Sequence, residues 1–159
     1  MRFVARDRRR RKAGLESKTD VISLKGLKLK CWRLFSELRR RQCADKTGYV
    51  RCVSCNVLSH WKEVDAGHWL HGGSGGKGNA ISYDPRNIHA QCRGCNYFGA
   101  RGLAALAYSQ FMFKTYGPDI LDELKAIKAQ SKLRREDFER MIEQFEKELE
   151  VLRGKDRGV

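Results

Sequence analysis

The chain has 159 residues, of which 41% are hydrophobic and 33% charged, with a formal net charge of +14 at pH 7. This composition argues for one folded domain, with length enough for an appended helix, and against a disordered chain. No apolar run approaches the roughly 18 residues of a membrane span, and the N-terminus lacks the apolar core of a signal peptide. We therefore expect neither an integral membrane protein nor a Sec-secreted one, and we expect a cytoplasmic location.

The first predicted element is a mobile basic arm at residues 1–25. Residues 27–41 then predict a helix, because apolar residues recur at helical spacing and leave basic residues on the other side. Short extended segments are expected at Tyr49–Arg51 and His60–Trp69. The glycine-rich stretch 71–79 predicts a flexible loop. It is not a phosphate-binding P-loop, because its Gly-Lys pair is followed by glycine instead of serine or threonine.

The second half of the chain predicts a strand within Ile81–Gln91, the start of a helix near Cys92–Cys95, and a further helix at Leu103–Tyr116. One or two helices are expected after Gly117-Pro118. They carry an apolar stripe at helical spacing, formed by Phe138, Met141, Ile142, Phe145, Leu149 and Leu152. Two interpretations remain open: the stripe covers the first helix of the same chain, or it forms the seam of a homodimer.

The charge is concentrated before the C-terminal helices. Residues 1–70 carry a net charge of +11, residues 71–118 carry +4, and residues 119–159 carry −1. A charge run can be simply solvated, and a membrane-surface anchor is a further alternative, although no lipidation signal accompanies it. The distribution favours a surface that binds nucleic acid. The candidate DNA-binding residues are Arg8, Arg9, Arg10, Arg11, Lys12, Arg39, Arg40 and Arg41.

Two Cys-x-x-Cys pairs indicate a structural zinc site. Four thiolates surround one tetrahedral Zn²⁺, and each pair offers two sulfurs from one tight turn. The rival interpretation is two thioredoxin-like redox pairs, but neither pair lies in a βαβ pattern. Cys31 is expected in the core of the first helix, and Cys43 is expected to be a free or buried thiol. The predicted zinc ligands are Cys52, Cys55, Cys92 and Cys95.

A second set of polar residues accompanies the cysteines. His68 ends a predicted strand, Asn87 lies between the two Cys-x-x-Cys pairs, and Asn96 directly follows Cys95. This order resembles the HNH, or ββα-metal, nucleases, and the Cys-Asn pair is similar to that of endonuclease VII. The wider stretches at 48–55, 66–68, 86–96 and 116–117, with the helix at 29–41, resemble the NinG (Rap) family of lambdoid phages. The resemblance covers roughly residues 27–125.

The resemblance implies an α+β fold. Its centre would be a small zinc-stabilised ββα-metal core, HNH-like and of treble-clef type, with flanking helices at both ends. The corresponding organisation is a basic arm at 1–25, a nuclease core with its preceding helix at 26–118, and a C-terminal helical segment at 119–159.

The implied activity is a structure-selective DNA endonuclease that cleaves branched recombination intermediates such as Holliday junctions and D-loops, in the host cytoplasm. His68 would be the general base, Asn87 would orient that imidazole or the local backbone, and Asn96 would be an oxygen ligand to Mg²⁺ or Mn²⁺. Related sites place an acidic ligand directly before the base, where this chain has Gly67. Asp65 would serve instead if the backbone bends at Ala66-Gly67.

Other classes of function remain open at this point. The chain could be a non-catalytic zinc-knuckle protein that binds DNA, an RNA-binding zinc protein, or a general HNH nickase without preference for branches. A pure binding protein has no need of the trio His68, Asn87 and Asn96. His89 is expected to be a structural histidine with satisfied hydrogen bonds or to support the site, and Trp61 and Trp69 are expected to pack or to stack on bases.

Overall fold

A computed structural model describes residues 22–72, 78–99, 102–130 and 132–156. The arginine-rich run 8–12 of the predicted arm and residues 73–77 of the predicted loop lie outside the described residues. The helices and strands are α1 (Leu24–Cys43), β1 (Tyr49–Arg51), β2 (Leu58–His60), β3 (Val64–His68), β4 (Ile88–Cys92), α2 (Leu103–Tyr116), α3 (Ile120–Gln130) and α4 (Arg135–Asp156). β1 pairs with β2 and β3 with β4, both antiparallel. The fold is therefore mixed α+β, as predicted.

α1 forms because its apolar residues share one face and its first turn is capped. The hydroxyl of Ser23 accepts a hydrogen bond from the backbone N–H of Gly26 at 3.2 Å, which satisfies a donor that the helix itself leaves unpaired. The buried residues are the apolar ones that recur at helical spacing: Leu27, Cys31, Leu34, Phe35 and Leu38. The helix prediction is confirmed, and the observed helix extends beyond residues 27–41 at both ends.

α4 packs its apolar stripe on α1. Phe138 and Leu149 are fully buried, and the ring centroids of Phe35 and Phe145 lie 5.1 Å apart. The first interpretation of the stripe is thus confirmed. The stripe is unavailable as a dimer seam, because its large side chains already fill the core of the same chain.

The segment Ile81–Gln91 holds a strand, as predicted, but only in its last part. Residues 80–83 and 85–87 form two short 3₁₀ turns, and β4 begins only at Ile88. Two side chains cap these turns: Asn79 accepts from the backbone N–H of Ile81 at 3.1 Å, and Asp84 accepts from that of Arg86 at 2.8 Å. Such local bonds compete with a strand ladder.

The expected extended segment at His60–Trp69 is divided, since β2 ends at His60 and β3 begins at Val64. The helix expected near Cys92–Cys95 is a single π-helical turn, Gly94–Phe98, that ends at Gly99. The helix at Leu103–Tyr116 is observed as predicted, and two helices follow it. None of the helices in the described ranges is both long enough and apolar enough to span a membrane.

Candidate functional site

The first Cys-x-x-Cys pair lies in the turn of the β1–β2 hairpin. The backbone N–H of Cys52 donates to the carbonyl of Val57 at 2.9 Å, and Asn56 adopts a left-handed conformation with φ of +63°, which asparagine tolerates better than most residues. The N–H of Val53 donates to the carbonyl of Ala90 at 3.0 Å. This bond joins the turn to β4, which carries the second pair at its end.

The four predicted zinc ligands meet at this junction. All four sulfur atoms lie within 4.8 Å of one another, and Sγ of Cys55 lies 3.7 Å from Sγ of Cys92. A tetrahedral zinc ion with Zn–S bonds of about 2.3 Å separates its sulfurs by about 3.8 Å. The geometry and the all-sulfur donor set therefore fit one zinc ion, which this cluster could hold.

The cysteines of the cluster differ in how readily they ionise. Burial opposes ionisation of Cys52, but hydrogen bonds from the backbone N–H groups of Cys55, Cys92 and Ser54 outweigh it and lower its pKa to about 7. Burial, with hydrogen bonds to the neighbouring thiols, raises the pKa of Cys95. Cys52 therefore ionises more readily than Cys95, and a divalent cation would offset the repulsion between thiolates.

A cleft of about 470 Å³ opens beside the cysteine cluster. The polar residues that line it include His68, His71, Gln91 and Asn96. Asp65 lies next to it, where its carboxylate accepts a hydrogen bond from Nδ2 of Asn96 at 3.2 Å. The structure thus places His68 and Asn96 on one cleft and pairs Asp65 with Asn96.

The backbone does not bend at Ala66-Gly67, which was the condition for Asp65 to serve beside His68. β3 pairs with β4 in regular register from Val64 opposite Cys92 to His68 opposite Ile88. Because side chains alternate along a strand, Asp65 and His68 project from opposite faces, about 10 Å apart along the strand. Continuous hydrogen bonding to β4 holds the strand straight where glycine would permit a bend.

Gln91 is a residue of the cleft that sequence reasoning missed. A Cβ atom added to Gly67 would lie 2.0 Å from Oε1 of Gln91, so the Gln91 amide fills the space that a side chain at position 67 would need. Gln91 is 5% exposed, and its Nε2 donates to the Ser54 hydroxyl at 2.8 Å. The sequence did carry one signal for Gln91. It lies two residues after His89 in the predicted strand, so both side chains are expected on the same face.

Trp32 is the second residue that was missed. Its indole ring stacks on the imidazole of His68, with centroids 4.8 Å apart and planes 19° apart. His71 continues the stack on His68 at 5.9 Å. The contact joins α1 to the end of β3, which are distant in sequence, so no local sequence pattern could have predicted it.

Asn87 is fully buried and touches backbone. Its Nδ2 donates to the carbonyls of Leu70 and Ile81 at 2.8 and 2.9 Å, and its Oδ1 accepts from the N–H of Leu70 at 2.8 Å. Of the two roles considered for Asn87, this geometry favours positioning the backbone that follows His68. Asn87 thus fixes the backbone at Leu70, and a part in catalysis stays a prediction.

His89 is a structural histidine, as one of the two interpretations held. Its Nδ1 and Nε2 each lie 3.0 Å from a tyrosine hydroxyl, those of Tyr108 and Tyr116. Burial, with a contribution from the charge of Arg39, lowers its pKa to about 4. His89 is consequently neutral at physiological pH and supports the floor of the cleft through Tyr108.

The arginines of α1 have partners within the chain. Nε of Arg39 donates to the carbonyl of Ile88 at 3.2 Å, and Nη1 of Arg40 donates to that of Trp61 at 3.2 Å. The guanidinium of Arg41 lies 4.0 Å from the Trp61 ring centroid. Trp61 therefore packs within the chain. Contact of Arg39, Arg40 and Arg41 with DNA stays a prediction, and any such contact would compete with these intramolecular interactions.

Trp69 packs as well. Its Nε1 donates to the hydroxyl of Ser109 at 3.0 Å, and its ring meets that of Phe113 edge to face at 5.7 Å. Cys31 lies in the core as predicted, where burial raises its pKa to about 11, and Cys43 is partly buried.

No curated protein and no solved structure matches the chain. The family model described as the bacteriophage Lambda NinG protein matches residues 4–155. This match covers nearly the whole chain and extends beyond the residues that carry the motifs. The chain belongs to the NinG family of bacteriophage proteins.

Proposed function

We propose that this protein is a zinc-stabilised, metal-dependent endonuclease that cleaves branched DNA, such as Holliday junctions and D-loops, in phage recombination. The observation that carries the proposal is the placement of His68 and Asn96 on one cleft directly beside the cysteine cluster. The two Cys-x-x-Cys pairs are here called the first knuckle (Cys52 and Cys55) and the second knuckle (Cys92 and Cys95). The order of β3, β4 and the turn Gly94–Phe98, which contains Cys95, supports an HNH-like site related to that of endonuclease VII.

The proposed roles follow from the chemistry of phosphodiester hydrolysis. The imidazole of His68 takes the proton of a water molecule that attacks phosphorus, and the bond between phosphorus and the 3′ oxygen breaks. The stack on Trp32 and the Asn87 bonds to Leu70 keep His68 in place. These contacts restrict the imidazole before substrate binds, which favours a productive orientation.

Three oxygen donors near the cleft suit a hard cation: the carboxylate of Asp65 and the amides of Asn96 and Gln91. Mg²⁺ or Mn²⁺, when bound, would neutralise charge on the phosphate and on the leaving oxygen. Asp65 lies opposite Gln91 in the β3–β4 register. The Asn96 and Gln91 amides line the cleft together with His68, and Asp65 reaches it through its hydrogen bond with Asn96.

The test is cleavage of a four-way junction by wild type and by His68→Ala, with and without Mg²⁺. We expect His68→Ala to keep its fold and its junction affinity but to cleave about 10²- to 10⁴-fold more slowly, the usual contribution of a positioned base. His60→Ala is the matched control, since His60 lies in β2 away from the cleft. Undiminished cleavage by His68→Ala would refute the assignment, and binding without any cleavage by wild type would favour a non-catalytic DNA-binding protein.

A further inference from the structure

A group of exposed apolar side chains follows the second knuckle. The exposed fractions are 66% for Tyr97, 88% for Phe98, 85% for Leu103 and 56% for Leu106. Among the described residues, Phe98 is the most exposed large hydrophobic side chain. A ring this exposed gains little from burial on folding, so the stability of the fold does not account for its position.

The backbone that carries the two aromatic rings, here called the aromatic turn (Tyr97 and Phe98), is constrained. It belongs to the π-helical turn that contains Cys95, and this turn closes with a bond of 3.1 Å from the N–H of Gly99 to the carbonyl of Gly94. A Cβ atom added to Gly99 would lie 2.5 Å from Cβ of Ala104, so the turn lies tightly against α2. Rings presented by a constrained backbone lose little conformational entropy when they bind a ligand.

The aromatic turn is also adjacent to the cleft and to positive charge. Asn96 and Gly99, which flank the turn in the chain, both line the cleft. The guanidinium of Arg93 lies 5.8 Å from the ring centroid of Tyr97, and residues 71–118 carry a net charge of +4. Aromatic faces beside a cation complement a nucleic acid, which offers bases to stack on and phosphates to pair with.

We propose that Tyr97 and Phe98 stack on bases exposed at the branch point of a DNA junction, while Arg93 contacts a neighbouring phosphate. The inference rests on the function proposed above and adds a basis for substrate choice. Bases within a continuous duplex are stacked on both faces, whereas a base at a branch or in a single strand has a face free for an aromatic ring. The aromatic turn thereby selects branched over linear DNA and brings the branch to the cleft.

The experiment measures binding apart from cleavage, with Ca²⁺ in place of Mg²⁺ so that the junction stays folded. Affinities of full-length protein for a four-way junction and for a linear duplex are compared for wild type, Phe98→Ala, Phe98→Leu and Phe98→Trp. We expect Phe98→Ala and Phe98→Leu to lose about 10-fold in junction affinity and to bind the duplex within about 2-fold of wild type, while Phe98→Trp retains junction affinity. Val151→Ala, an exposed apolar position on α4, is the matched control.

A second readout reports stacking directly. A junction with 2-aminopurine at the branch changes its fluorescence when an aromatic side chain stacks on that base, so wild type should change the signal and Phe98→Ala should not. The proposal is overturned if Phe98→Leu binds the junction like wild type, if both DNA shapes lose equal affinity, or if sedimentation shows that Phe98→Ala dissociates a dimer. A wild type that cleaves junctions normally alongside such a result leaves the proposed function intact, whereas failure of the wild type to bind any DNA defeats the proposed function itself.

Discussion

The cysteine cluster and the neighbouring cleft are built on the same strand, but they differ in whether their polar atoms are available to a substrate. Cys92 at the end of β4 contributes to the cluster, and the adjacent Gln91 lines the cleft. Four sulfurs complete the shell of a zinc ion and leave no position for a substrate, whereas the cleft offers nitrogen and oxygen atoms to solvent. The difference separates a cluster suited to hold a structural zinc ion from the cleft proposed above as the site of chemistry.

The two regions are nevertheless coupled through short contacts. Nε2 of Gln91 donates to Ser54 in the first knuckle, and the second knuckle continues into the turn that carries Asn96. Loss of the cluster should therefore disorganise the cleft, while changes within the cleft should leave the cluster intact. Three variants test this asymmetry, beginning with the largest effect.

Cys92→Ser should remove zinc and unfold the central region. Binding of a structural zinc ion contributes on the order of 10 kcal/mol to such sites, which is comparable with the whole stability of a small domain. We expect zinc content and the thermal midpoint to fall together, as measured by metal analysis and by circular dichroism. Cys43→Ser, a partly buried cysteine outside the cluster, should keep both, and a zinc-depleted Cys92→Ser with native melting would contradict the structural role.

The cluster and the first helix could be predicted from the sequence because their determinants are local. Two-residue spacing within each Cys-x-x-Cys pair sets the sulfur geometry, and the apolar positions of α1 repeat at helical spacing. The cleft depends on contacts between distant segments. The pairing of β3 with β4 decided the face of Asp65, and the packing of α1 brought Trp32 to His68, neither of which a local pattern reports.

The second prediction concerns His89, which supports the cleft through Tyr108. Its expected effect on the free energy of unfolding is smaller than that of the cysteine cluster. Its pKa of about 4 in the folded chain, set by burial and by Arg39, lies below the usual value of about 6.5. The neutral form is favoured by folding, so this stabilisation is complete above pH 6.5 and is lost as the pH falls towards 4. The total is about 3 kcal/mol, of which about 2 kcal/mol falls between pH 7 and pH 5.

The measurement is urea unfolding of wild type and His89→Gln at pH 7 and pH 5. His89→Gln does not titrate in this range, so its free energy of unfolding should fall less than that of wild type, and the cysteine cluster contributes equally to both. Parallel decreases in the two proteins would mean that His89 does not titrate as its burial between Tyr108 and Tyr116 indicates.

Trp32 tests the support of His68 from α1, where the smallest effect is expected. Trp32→Leu keeps an apolar side chain beside Phe35 and Tyr83 but removes the ring that stacks on His68. A base that is less well positioned should slow junction cleavage by about 10-fold, while zinc content and junction affinity stay unchanged. Trp32→Phe should restore most of the rate, and the ring-current shift of the His68 imidazole protons in the NMR spectrum should follow the same order. If Trp32→Leu loses cleavage and thermal stability in proportion, Trp32 supports the core alone, and its stack on His68 has no separate part in the proposed chemistry.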